Sequence, residues 1–419
     1  MNKVGLRQNG RFYYGWVLMI VGFLMMSIAY TGCISITSVF VISVTEAFGV
    51  DRGSFLLYQT ILLLVSIGVT AYYGKRMAKG NVKRIVVISA LVAAAGYVIF
   101  AMAKSLYMFY FGAIFLGVGF SNCTVLPLSI ILNNWFGGKV RGTAMGFCFV
   151  GSGVGGLVIL PLLNSVISGS GWRTGYLVLA VLFGVVAAMS LIFLVKTPEQ
   201  RGFVRMGETL AETQKESTGE AKGMVIREAL KTPMFWMIAA SATLTTFGST
   251  AILFNSTPFF IDCGFSVEKA ALIASFNLGM IAIGKILIGF LCDKFGTKFG
   301  SIFSAVIFGL QFVCLALMTI NPVVFVFGAV ICYGIGGGGI TVCPPLLVNA
   351  LFGEKDYGNI AAGMNMATNF GGTFGGTLAA VIFDVTGSYV AFWCMAVGSM
   401  AIVVILRLIC FKLRKKYTY

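Results

Sequence analysis

Lys285 stands where a charge is costly, and costly charges do chemistry. It lies in the apolar run Gly284-Lys285-Ile286-Leu287-Ile288, eight residues before Asp293. A charge at the bilayer midplane costs about 3 kcal/mol on insertion scales, so such a residue usually faces a cavity and has a task. In an apolar cavity a lysine can also give up its proton, because desolvation disfavours the charged form. The competing reading is a lysine whose flexible stem snorkels to the interface, about 12 Å away along the helix at 1.5 Å per residue. Helical side chains lean toward their own N-terminus. In this helix that direction is the midplane, which works against snorkelling.

Other polar residues could complete a pocket. Asn277 lies eight residues before Lys285 on the same helix face. Asn365, Thr368, Asn369, Gly372 and Thr373 fall at i, i+3, i+4, i+7 and i+8 of a later helix. Tyr30, Thr31, Gln59, Asn122 and Ser152 are the first-half candidates. Such groups either line a cavity or only tie neighbouring helices together, and both readings stand. The glycine run 336–339 lacks the Lys-Ser/Thr that follows a phosphate cradle, so close packing or flexibility is its expected purpose. With no histidine in the chain, Ser-His-Asp and Cys-His chemistry and His-ligated metals are excluded. The ten cysteines are scattered and form no CxxC pair, so they read as small buried hydrophobes. No metal, cofactor or enzymatic activity is expected.

These residues need elements to position them, and the composition says which. Of 419 residues, 58% are hydrophobic and 11% charged, with a mean hydropathy of +0.94. Soluble proteins carry about 25% charge, so most of this chain faces lipid or protein. A bilayer-crossing helix needs about 20 mainly apolar residues. Runs of that length fall at 14–42, 54–73, 85–102, 106–132, 142–167 and 175–195, then at 233–260, 270–292, 300–320, 323–351, 358–385 and 389–410. The expected fold is an all-α integral membrane protein of twelve transmembrane helices in two six-helix bundles. The expected domains are an N-terminal bundle (1–195), a cytoplasmic linker (196–231) and a C-terminal bundle (232–419). The first run continues too long for a signal peptide and reads as an uncleaved span.

Alternate ends of these runs hold 25 basic residues on one face and four on the other. By the positive-inside rule both termini are cytoplasmic, in a multi-pass protein of the cell membrane. The net charge of +16 therefore concerns topology rather than nucleic acid. The linker is mixed in charge and too polar for a core of its own. Near its end, residues 225–230 suit a short amphipathic helix on the membrane surface.

The two halves repeat. Phe136-Gly137-Gly138-Lys139-Val140-Arg141-Gly142 is echoed 216 residues later by Phe352-Gly353-Glu354-Lys355-Asp356-Tyr357-Gly358. Thr124-Val125-Leu126-Pro127 is echoed by Thr341-Val342-Cys343-Pro344, shifted by one further residue. Parallel six-helix repeats of this kind mark transporters.

The link after the eighth run reads Gly289-Phe290-Leu291-Cys292-Asp293-Lys294-Phe295-Gly296-Thr297-Lys298 and resembles the signature loop of the major facilitator superfamily. Gly289 permits close helix approach, Asp293 and Lys294 suit a helix end, and Gly296 suits a tight turn. The first-half copy, Gly74-Lys75-Arg76-Met77-Ala78-Lys79-Gly80, has Ala78 where the resemblance implies an acid. Asn134-Trp135-Phe136 with Arg141-Gly142-Thr143-Ala144-Met145-Gly146, the run from Gly151-Ser152-Gly153-Val154-Gly155 to Leu160-Pro161, and Ala229-Leu230-Lys231-Thr232-Pro233-Met234-Phe235-Trp236 are similar to the monocarboxylate transporters and the oxalate:formate antiporter group.

The resemblance implies a major facilitator fold, alternating access about a midplane site, and a cation in the eighth helix that binds substrate carboxylate, a position Lys285 matches. A second cation of the oxalate exchanger's pattern falls at Thr368, and its aromatic cage positions fall at Ser152, Thr341 and Asn365. One fixed charge suits one carboxylate, so a monocarboxylate or another small organic anion is the expected substrate. The substrate-binding set is Lys285, Asn277, Asn365, Thr368, Asn369, Tyr30, Gln59, Asn122, Ser152 and Thr341. The gating set is Gly289, Asp293, Lys294 and Gly296. Proton symport and anion exchange both remain open, since Ile281 stands where proton-driven carriers pair an acid with the cation. A multidrug or other-solute exporter and a non-transporting receptor on this fold are the alternatives. The chain is expected to work as a monomer.

Overall fold

The computed structural model describes residues 7–8, 11–138, 140–206 and 223–416. Within a bilayer every backbone N–H and C=O must be satisfied by the chain itself, and the apolar runs meet that demand as helices. The first span is Gly15–Met25, continued by a π-helical stretch Met26–Ser35 and by Thr37–Phe48. Arg52–Arg76 and Val82–Ala101 form the second and third, and Leu106–Cys123 with Val125–Trp135 the fourth. Arg141–Phe193 is the fifth and sixth together, divided at Gly171, whose φ of +83° only glycine adopts readily.

The seventh to twelfth spans begin with Pro233–Asp262, Val267–Phe295 and Thr297–Leu317. They continue through the paired helices Pro322–Gly337 and Gly339–Phe352 to Tyr357–Thr386 and Val390–Arg414. The twelve expected spans in two six-helix bundles are thus present. The eighth runs three residues past the expected end at Cys292, and Gly296 (φ +87°) breaks it from the ninth. An addition to the all-helical expectation is a short antiparallel strand pair, Arg7–Gln8 with Arg11–Phe12.

Contacts divide the chain into two compact units. The first holds Met1–Gly137 and Cys148–Thr213, the second Gly138–Phe147 and Gln214–Tyr419. In the first unit, rings from several spans interlock around Phe100, Phe109 and Tyr176, and Phe40 stacks on Tyr176 at 4.0 Å. In the second, Phe308, Phe312, Trp393 and Met400 centre a core of aromatic and aliphatic side chains.

The described ends of the linker are ordered by the sequence repeat. In the first unit, Met206 bridges Phe136: Gly137 N donates to Met206 O at 2.7 Å and Met206 N to Trp135 O at 3.0 Å. Arg205, buried, donates to Asn133 O. In the second, Gly223 bridges Gly353 and Met224 N donates to Phe352 O at 2.8 Å. Each linker end thus adds backbone hydrogen bonds to the same Phe-Gly step of its own repeat copy. The residues between them, including Glu208, Glu212, Glu216 and Glu220, lie outside the described residues.

Beyond the docked end, Ile226–Ala229 forms the expected short helix, with Val225 N bonded to Glu228 Oε2 at 3.1 Å. Gly223 has a φ of +146°, and a Cβ there would meet Phe352 O at 2.6 Å. Gly223→Ala is therefore expected to cost about 1–3 kcal/mol, read as a lowered unfolding temperature in detergent. Gly138→Ala, which meets open space, should leave that temperature unchanged.

Candidate substrate-binding site

In the second unit Lys285 lies inside the protein, 3% exposed, rather than along a lipid-facing stem. Glycines clamp its backbone from two sides. A Cβ on Gly338 would fall 2.5 Å from Lys285 N, and one on Gly146 would fall 2.5 Å from Lys285 O. The preceding Gly284 faces Gly334 so closely that a Cβ would lie 1.9 Å from the Gly334 carbonyl oxygen. The glycine run of the tenth span thus provides the close approach expected of it, with Gly336 against Phe308 of the ninth span and Gly338 against the eighth. Such glycine seams let membrane helices approach backbone to backbone. Here they fix the helix that carries the lysine.

Asn277, on the same helix, is 6% exposed, and its Oδ1 has no hydrogen-bond partner among the described residues. A buried acceptor left unpaired costs about 1–3 kcal/mol, which makes Asn277 a place where a ligand donor is welcome. Thr341 Oγ1 on the tenth span is likewise buried without a partner among the described residues.

On the eleventh span Asn369 is buried, and Asn365 and Thr368 are half-buried. Thr368 and Thr373 bond back to Met364 O and Asn369 O at 2.9 Å each, within their own helix. The close contact with the seventh span is made instead by Gly371 and Gly375, where a Cβ would sit 2.2 Å from Thr243 O and 2.0 Å from Phe247 O. The polar stripe of the eleventh span is not that packing seam.

The first-unit candidates are used differently. Gln59 Nε2 donates to Cys33 O at 3.0 Å, to Tyr58 OH at 3.3 Å and to Thr37 Oγ1. It thereby ties the second span to the first at its π-helical stretch. Asn122, fully buried, donates to Ser89 Oγ at 3.0 Å and joins the fourth span to the third. Ser152 bonds Phe149 O at 3.1 Å, while its carbonyl accepts from Thr31 Oγ1 at 3.2 Å. Gly151 and Gly155 make room for that contact: a Cβ on either would lie 2.0 Å from Phe23 O or 2.2 Å from Ser27 O. Tyr30 is half-buried on the π-helical stretch, its ring 5.8 Å from Phe120.

The residues expected to gate lie at the end of the eighth span, within the second unit. Asp293 Oδ1 accepts from Gly142 N at 2.7 Å; Oδ2 accepts from Thr143 N at 2.7 Å and Thr143 Oγ1 at 2.6 Å. A carboxylate here satisfies free N–H groups of a helix start and complements its dipole. Gly142 and Gly289 meet backbone to backbone, and a Cβ on Gly289 would lie 2.2 Å from Gly142 O. Arg141 pairs with Glu354 at 2.5 Å, joining equivalent segments of the two repeat copies. Lys294 is exposed over the Phe290 and Phe295 rings, and Gly296 forms the break. In the first-half loop the carbonyl of Ala78 accepts from Lys196 Nζ at 2.7 Å, and burial pushes that ammonium below the ordinary lysine range.

Arg407, counted by sequence among the 25 basic residues of the cytoplasmic face, does not lie in a loop. It is 3% exposed inside the twelfth span. Its Nε donates to Ser241 Oγ at 2.9 Å, Nη1 to Ser301 O at 2.5 Å and Nη2 to Thr245 Oγ1 at 3.4 Å. The missed signal is its register: Met400, Val403, Arg407 and Cys410 share the buried face at helical spacing.

Residues 18–281 and 261–418 match the family model described as Major Facilitator Superfamily. The chain belongs to the Major Facilitator Superfamily. It is a membrane-spanning member of that family. The oxalate:formate antiporter of Oxalobacter formigenes is 27% identical over 258 residues, 59% of this chain and 57% of that protein. The chain thus spans little more than half of that relative's length. Monocarboxylate transporter 12 of Mus musculus is 22% identical over 330 residues, 73% of this chain and 67% of that protein. Both fall in the groups that the short motifs resemble. The solved structure of the proton:xylose symporter XylE, bound to 6-bromo-6-deoxy-D-glucose, superposes with a TM-score of 0.74 at 15% identity over 96% of both chains. That likeness concerns the fold.

Proposed function

We propose that this transporter moves a small organic anion with a single carboxylate by alternating access, and that Lys285 holds the carboxylate. The observation that carries the reading is a lysine buried within the eighth span, its backbone clamped by glycines on two sides. A carboxylate is a favourable counter-charge for a cation in so apolar a chain. Asn277 Oδ1 and Thr341 Oγ1 supply further polar atoms in the same unit, and the polar stripe of Asn365, Thr368 and Asn369 supplies more. Thr368 stands where a second cation would favour a dicarboxylate, which weights the reading toward monocarboxylates.

The test is uptake into proteoliposomes of labelled pyruvate and lactate, with oxalate and a hydrophobic cation as competitors. Pyruvate and lactate are expected to be taken up and to compete with each other, while the cation does not compete. Uptake of the cation in place of either acid would overturn the proposal. Acceleration by an inward proton gradient identifies symport. Uptake that ignores the gradient and requires internal anion identifies exchange.

A further inference from the structure

The second unit buries another cation besides Lys285. Arg407 is 3% exposed within the twelfth span, and its hydrogen bonds reach the seventh and the ninth. A guanidinium has five N–H donors and keeps its charge at any accessible pH. It cannot shed that charge as a desolvated lysine can. Three of the donors are engaged, by Ser241 Oγ, Ser301 O and Thr245 Oγ1, and all three acceptors are neutral. Two N–H groups are left without an acceptor among the described residues. Arg141 with Glu354 is the ion pair formed among those residues, and Arg407 forms none there. An uncompensated charge in so apolar a setting is costly.

A cavity opens at the same place. Its polar side chains are Arg407, Ser241 and Thr245, and Ile340, Pro344 and Leu347 of the tenth span help to close it. About 10 Å³ of it admits the centre of a water-sized guest, which is room for one such guest. Thr245 spends its hydroxyl hydrogen on Ser241 O at 2.7 Å. Ser241 Oγ accepts from Arg407 Nε, so its own hydrogen is left to donate. The lining therefore offers positive charge and spare hydrogens, and it contains no acid. A water here would bring two hydrogens that need acceptors. A monatomic anion needs donors alone, and it cancels the charge.

We propose that this cavity is a chloride site, in which one halide ion is held by Arg407 and Ser241 between the seventh, tenth and twelfth spans. The ion takes up the unused donors and neutralises the guanidinium that joins the twelfth span to the seventh and ninth. Size separates it from a carried organic anion: the carbon and two oxygens of a carboxylate exceed the room for one water-sized guest. A ligand that binds the folded chain alone stabilises it in proportion to the logarithm of its concentration above the dissociation constant. Chloride is therefore a structural ligand of this bundle, whichever solute is carried.

The test uses the full chain in nanodiscs, in gluconate buffer of fixed ionic strength. Labelled chloride is titrated in by equilibrium dialysis, and the unfolding temperature is followed in parallel. Saturable chloride binding is expected, and the unfolding temperature should rise with chloride and bromide but not with sulfate. Ser241→Ala, which keeps the guanidinium and removes one donor, should weaken chloride binding about tenfold. Arg407→Gln should abolish it. Should Arg407→Gln fail to fold, Ser241→Ala decides the matter alone. Lys285→Ala should keep the chloride binding, so failure of this site and failure of the carboxylate site are read separately. Absence of saturable chloride binding in the native chain would mean that the cavity holds water only, and would overturn the proposal. Native-strength binding in Ser241→Ala or Arg407→Gln would overturn it too, as would loss of binding in Lys285→Ala, which would move the chloride to the lysine.

Discussion

Lys285→Ala is expected to lower uptake of the carried monocarboxylate about 30-fold or more, while leaving the protein folded. Removing one partner of a buried, hydrogen-bonded charge pair costs about 2–5 kcal/mol, and each 1.4 kcal/mol is a factor of ten in binding. The fold should tolerate the change because the helix is held through glycine contacts at Gly146, Gly284 and Gly338, none of which involves the lysine side chain. Binding heats in detergent separate the two effects: the variant should elute as a monodisperse peak and bind nothing. Lys285→Arg sharpens the test. Arginine keeps its charge at any accessible pH, whereas a lysine in an apolar cavity can release its proton. If Lys285 takes up a proton with the anion, the arginine variant should bind the anion and lose its response to a proton gradient. If transport is exchange, the variant should keep its pH profile. Undiminished anion uptake by Lys285→Ala would remove the lysine from the site.

The spans were legible because lipid imposes a simple rule, about 20 apolar residues per crossing, and the loops carry the compensating charge. The Phe-Gly repeat at residues 136 and 352 marked equivalent positions in the two halves. It did not show that Met206 and Gly223 dock there, since backbone pairing leaves no side-chain signature at either linker end. The π-helical stretch at residues 26–35 was equally silent in sequence. It becomes visible through Gln59, whose amide bonds the Cys33 carbonyl within it. A polar residue in a span reads the same whether it faces a solute or a neighbouring carbonyl, and that ambiguity covered Gln59, Asn122 and Ser152. Lys285 was legible through depth alone. Arg407 was not, because it lies three residues before the expected end of its run at 410, while its register with Met400, Val403 and Cys410 places it inside.

Asp293→Ala is expected to free the start of the fifth span, and amide exchange should show it. One carboxylate accepts two backbone N–H bonds and one hydroxyl bond, all at 2.6–2.7 Å. These are charge-assisted bonds at a helix N-terminus, where both the free donors and the dipole favour an anion. Hydrogen bonds to charged groups contribute about 1.5–3 kcal/mol each, and a shared acceptor makes their sum less than additive. A loss of about 2 kcal/mol would speed exchange at Gly142 and Thr143 roughly 30-fold. The Gly142–Gly289 contact and the Arg141–Glu354 pair remain in the variant, so exchange should rise at this helix start and not across the unit. Asp293→Asn separates charge from geometry. Its amide oxygen can still accept from one backbone N–H, while the second carboxylate oxygen is replaced by a donor facing Thr143 N. Intermediate exchange is therefore expected at Gly142, and near-complete loss of protection at Thr143. Unchanged protection at both residues in the alanine variant would show that the glycine seam alone holds the helix start, and would leave Asp293 without a part in gating.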